Sequence, residues 1–87
     1  MKRTVEFFGI PRARAGIART DAVGETLGEV LQDLSQRFPG LSETCIEGSR
    51  LRDGFTVNIG GERFTRDSAT VLEQNQTLLL MSLDAGG

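Results

Sequence analysis

The chain has no histidine, tyrosine or tryptophan and only one cysteine in 87 residues. Each scarcity removes a class of chemistry. Without histidine, Cys45 lacks the partner that ordinarily activates a thiol nucleophile, and it lacks companions for a Cys/His zinc site. It has no second cysteine with which to form an internal disulfide, so Cys45 reads as structural and stability must rest on packing. No apolar stretch approaches the roughly 18 residues of a membrane helix. The opening Met1-Lys2-Arg3-Thr4-Val5-Glu6 passes straight into strand pattern without a signal-peptide core. A cytoplasmic protein with no membrane partner is therefore expected. The formal net charge of −2 and the missing stacking aromatics argue against a nucleic-acid partner.

What is present describes one small globular domain spanning residues 1–87. Hydrophobic residues make up 38% and charged residues 25%, values of an ordinary folded chain with a lean core.

Weak alternation from Arg3 to Ile10 predicts a strand, ended by Pro11. Residues 11–16 read as a loop with solvated arginines, and Ile17–Val23 as a returning strand. Thr26 followed by Glu29 is a capping-box pattern. It opens a helix whose Leu27, Val30, Leu31, Leu34 and Phe38 form one apolar stripe, stopped by Pro39-Gly40. From Leu41 to Gly54 the pattern is irregular and reads as loop with a helical turn at most. Phe55, Val57 and Ile59 alternate as a strand, Gly60-Gly61 turns it, and residues 62–66 return. After a connection at 67–76, the apolar run Thr77–Leu83 predicts a final strand, central in the sheet and beside the first. The expected class is α+β, a mixed sheet with one main helix packed on one face.

The sequence ends on Gly86-Gly87, directly after Leu78-Leu79-Leu80-Met81 and a short polar stretch. Residues without Cβ can thread a narrow channel, so residues 84–87 (Asp84, Ala85, Gly86, Gly87) read as an arm that presents a carboxylate to a partner.

The element order, the Thr4-Val5-Glu6-Phe7-Phe8 start, the capped helix near residue 26 and the Leu83-Asp84-Ala85-Gly86-Gly87 end together resemble the ThiS/MoaD family. These are ubiquitin-like, β-grasp sulfur carriers, and the pattern is most similar to the molybdopterin-synthase small subunit. The resemblance implies that an E1-like adenylyltransferase uses ATP and Mg²⁺ to adenylate the Gly87 carboxylate. A persulfide donor then yields a thiocarboxylate that serves a sulfur-accepting enzyme or large synthase subunit, with molybdenum cofactor biosynthesis as the expected setting. The chain itself is then a carrier and not an enzyme, and it binds neither cofactor nor metal. It departs from the molybdopterin carriers at Ser82-Leu83-Asp84, where a Pro-Pro-Val-like stretch is common, and at Asn75-Gln76, where an Asp-Gly turn is. A ubiquitin-like modifier conjugated through Gly87 is the second reading, and a plain binding module the third. Docking is expected on the sheet face opposite the helix, through Phe8, Leu79 and Met81, although the strand's parity leaves Leu78 and Leu80 as outward alternatives.

Overall fold

The computed structural model describes residues 2–84. In chain order its elements are β1 (Lys2–Phe7), α1 (Ile10–Ala15), β2 (Arg19–Val23), α2 (Leu27–Arg37), α3 (Pro39–Thr44), β3 (Ile46–Glu47), β4 (Arg50–Leu51), β5 (Phe55–Ile59), β6 (Arg63–Thr65) and β7 (Leu78–Ser82). The main sheet runs β2-β1-β7-β5-β6. Its one parallel pair among the described residues joins β1 to β7, and the other pairings are antiparallel. The last strand thus lies beside the first and in the middle of the sheet, as its continuous apolar run requires. This is the α+β, ubiquitin-like β-grasp arrangement expected from the sequence.

The core forms between one sheet face and α2. Val5, Phe7, Ala22, Val57, Ile59, Leu78 and Leu80 line the sheet side, and Leu27, Val30, Leu31 and Leu34 of the helix stripe cover them, none of the four more than 1% exposed. Phe38 at the helix end is partly buried and meets Phe7 edge-on, with ring centroids 6.0 Å apart. The N-cap is half of a capping box. Thr26 Oγ1 accepts from the Glu29 amide at 3.2 Å, but the Glu29 carboxylate accepts from the Glu25 amide at 2.7 Å rather than from that of Thr26.

Two segments expected to be irregular are ordered. Residues 11–16 hold α1, because Pro11 sits in the first helical turn, where its missing N–H is no loss and its fixed φ is already helical. Gly16 closes the helix in the left-handed region with φ 81°. Proline here starts a helix as well as ending a strand, so β1 stops at Phe7 and β2 starts only at Arg19. Pro39 does the same for α3, which with the β3–β4 hairpin fills most of the stretch expected to be loop and sends Leu41, Cys45, Ile46 and Leu51 into the core. At Gly40 the helices come so close that a Cβ would run into the Arg14 carbonyl oxygen.

The connection at 67–76 contains no named strand and is tied down by its backbone. Leu72 N–H donates to Glu25 O and Leu27 N–H to Thr70 O, each at 2.9 Å, and Val71 forms an isolated bridge with Thr26. Among the described residues no helix is long and apolar enough to cross a membrane.

Candidate docking face and arm

A strand turns alternate side chains to opposite faces, and β7 divides cleanly. Leu78, Leu80 and Ser82 point to the core, at 8% exposure or less, while Leu79 and Met81 are half-buried on the face opposite α2. The parity left open by the sequence is settled: Leu79 and Met81 are outward and Leu78 and Leu80 inward. Met81 stands opposite Thr56, and Leu79 opposite Asn58. Phe8 continues beyond β1, held by its N–H donating to Leu80 O at 3.1 Å, and its side chain is 50% exposed. The structure therefore places Phe8, Leu79 and Met81 on one face.

That face extends further than the sequence suggested. Phe64 is 62% exposed and Leu83 is 55% exposed. With Thr56, Met81 and Ser82 they line a groove of about 240 Å³. Parity offered a sequence signal for Leu83, and the register explains Phe64. Phe64 pairs in register with Asn58, an outward residue, and Leu83 continues the spacing of Leu79 and Met81. The opposite end of the same face is polar, where Glu6 pairs with Arg19 and Thr4 with Asp21.

The described chain ends at Asp84, beside the apolar part of this face. Leu83 N–H donates to Gly54 O at 2.7 Å, and Asp84 N–H to Ser82 Oγ at 3.2 Å, so the first residue of the arm is exposed yet anchored through its backbone. Ala85, Gly86 and Gly87, expected to form the rest of the arm, lie outside the described residues.

No catalytic constellation competes with this face among the described residues. Cys45 is fully buried, and burial pushes its thiol up to about 11 from 9.0, an effect that Arg14 and Arg52 only partly oppose. A thiol held protonated and away from solvent is a packing residue. No group of three or more His, Cys, Asp or Glu side chains among the described residues is placed to hold a metal.

No family model matches the sequence, and no curated protein matches it significantly. Solved structures do match. The chain resembles small archaeal modifier protein 1 (SAMP1) from Methanosarcina acetivorans at 22% identity and TM-score 0.78, covering 99% of this chain and 96% of that one. It resembles the Haloferax volcanii HVO 2177 protein at 26% identity and TM-score 0.77, covering 100% and 87%. A chain of the Amycolatopsis orientalis BexX/CysO complex matches at 23% identity and TM-score 0.76, covering 97% and 98%. The fold is thus that of small ubiquitin-like β-grasp proteins, the fold that the ThiS/MoaD resemblance implied.

Proposed function

We propose that this protein is a sulfur carrier of the ThiS/MoaD kind, working through the Gly87 carboxylate. The observation that carries the reading is an open apolar sheet face, Phe8, Phe64, Leu79, Met81 and Leu83, at the end of the sheet where the chain reaches Asp84, three residues before Gly87 in sequence. An exposed apolar patch beside a chain end without side chains suits a partner that must hold the domain while drawing the end into its own active site.

The chemistry belongs to the partners. A terminal carboxylate oxygen attacks the α-phosphorus of ATP, pyrophosphate leaves, and the acyl adenylate so formed carries a good leaving group. A persulfide sulfur of the donor displaces AMP, and attack by a thiol on the resulting acyl disulfide releases the thiocarboxylate. An E1-like adenylyltransferase with Mg²⁺ and a persulfide donor are the implied partners, followed by a sulfur-accepting enzyme. The molybdopterin-type acceptor rests on the sequence resemblance alone.

Likeness to a protein described as a modifier supports a second reading, conjugation of Gly87 to lysines of other proteins. Both share the adenylate, and the product separates them. Incubating the full chain with the activating enzyme encoded in the same genome, ATP, Mg²⁺ and a sulfur donor should add the mass of one oxygen-to-sulfur exchange, read by intact-mass spectrometry. Adducts only to lysines of other proteins would favour the modifier, and neither product would overturn both readings.

A further inference from the structure

A second concave surface lies at the arm's end of the molecule, outside the sheet-face groove. Gly9, Arg12, Ala13 and Gly16 of the α1 segment face Ile17 and Ala18 across an open cleft of about 600 Å³. Its walls are mainly apolar, and neighbouring Ile10 and Ile17 are 47% and 42% exposed.

The charge along this segment of the chain is one-sided. Between Phe7 and Thr20 the chain carries Arg12, Arg14 and Arg19 and not one of its 12 acidic residues. Arg37, Arg52 and Arg66 form ion pairs, whereas Arg12, Arg14 and Arg19 form none among the described residues. Arg19 stands in register with Glu6 on the sheet face, and Arg14 lies towards buried Cys45. Arg12 lines the cleft itself, with Arg19 directly after its wall residue Ala18. In a chain of net charge −2 this is a local excess of cations beside exposed aliphatic carbon.

We propose that this cleft docks an acidic segment of a partner protein, anchored by an aliphatic side chain between α1 and residues 16–18 and oriented by Arg12 and Arg19. Charge complementarity selects the occupant: a carboxylate meets the guanidinium of Arg12, with Arg19 at the rim to draw a second, while an aliphatic group covers Ile17. Three arginines are fewer than the roughly four to eight cations of a lipid-binding polybasic cluster, and a concave wall cannot lie flat on a membrane. Phe8 joins the cleft to the proposed docking face, since it directly precedes Gly9 and is bonded to β7. A partner on the sheet face can therefore reach the cleft, although the cleft's binding does not depend on the chemistry of the arm.

The test is an NMR titration of the isotope-labelled full chain with a short synthetic peptide of glutamates flanking one leucine. The amides of Gly9, Ala13, Gly16, Ile17 and Ala18 should shift, and Arg12→Ala with Arg19→Ala should weaken binding by at least about tenfold. Dispersed spectra of that exposed-site variant check its folding, and Ile17→Ser alone should also weaken the peptide. Equal binding of a lysine-for-glutamate peptide would overturn the proposal. So would shifts confined to Phe64 and Met81, or no shift at millimolar peptide. Anionic phospholipid vesicles producing the same shifts more strongly would reassign the cleft to a lipid surface.

Discussion

Leu31→Asp and Met81→Asp put the same charge on opposite sides of the molecule and should separate folding from docking. Leu31 is 1% exposed within the α2 stripe. Truncating such a leucine costs about 2–5 kcal/mol. An unpartnered carboxyl there must take up a proton, which from an ordinary value near 3.9 costs about 4 kcal/mol at neutral pH. The sum, roughly 6–9 kcal/mol, rivals the roughly 4–13 kcal/mol expected to hold 87 residues together. Leu31→Asp should therefore be unfolded at room temperature. Met81 is half-buried in an open groove, so a carboxylate there stays hydrated and the loss is partial burial, about 1–2 kcal/mol. Circular dichroism through a thermal ramp should show a native fold with a moderately lowered midpoint. Calorimetric titration with the activating enzyme should show binding weakened at least about a hundredfold, as expected of a central apolar anchor. A native Leu31→Asp would refute the burial argument, and wild-type binding by a folded Met81→Asp would refute the docking face.

Three further outcomes test the packing. The Cys45 thiol is raised from 9.0 to about 11, so the unfolded chain loses that proton first: the burial's contribution is intact below about pH 9 and is lost as pH climbs towards 11, by up to about 2–3 kcal/mol. Urea midpoints across that range should fall, with the slope flattened in Cys45→Ala, and the absence of tyrosine leaves few other groups to titrate there. Arg37→Ala removes donation to Asp21 O at 2.6 Å, the 3.2 Å ion pair with Asp33 and the stacking over Phe38, but its exposure limits the loss to about 1 kcal/mol in denaturant midpoint. Gly40→Ala should cost at least about 1–3 kcal/mol by pushing α3 off the Arg14 carbonyl, visible as a lowered thermal midpoint.

The main helix and the long strands were legible because each carries a sustained period: the stripe Leu27, Val30, Leu31, Leu34 for α2, and alternation for β5. The segments 11–16 and 41–54 were not, since α1 and α3 span six residues each, too short for periodicity to register. They depend on tertiary contact with each other at Gly40, which no local pattern reports. The docking face was legible in β7 only up to parity, and Phe64 escaped notice because an aromatic in a short edge strand looks like core until the register with Asn58 is known.

That register also accounts for where the face lies. Because β7 runs parallel to β1, the C-terminal ends of both strands fall at one end of the sheet, which brings Phe8 and the start of α1 to the end of the sheet where the chain passes from β7 to Asp84. The antiparallel partner β5 sets Thr56 opposite Met81 and Asn58 opposite Leu79, and the short β6 adds Phe64 from the far side. Apolar side chains distant in sequence thereby surround the origin of a segment that has few side chains of its own. Under the proposed function, a partner that grips this rim holds the chain at Asp84, so less conformational freedom remains to be lost when the glycines are bound. Under the same proposal, recognition resides in the folded domain and reactivity in the terminal carboxylate, a division of labour that suits a chain without histidine and with its one thiol buried.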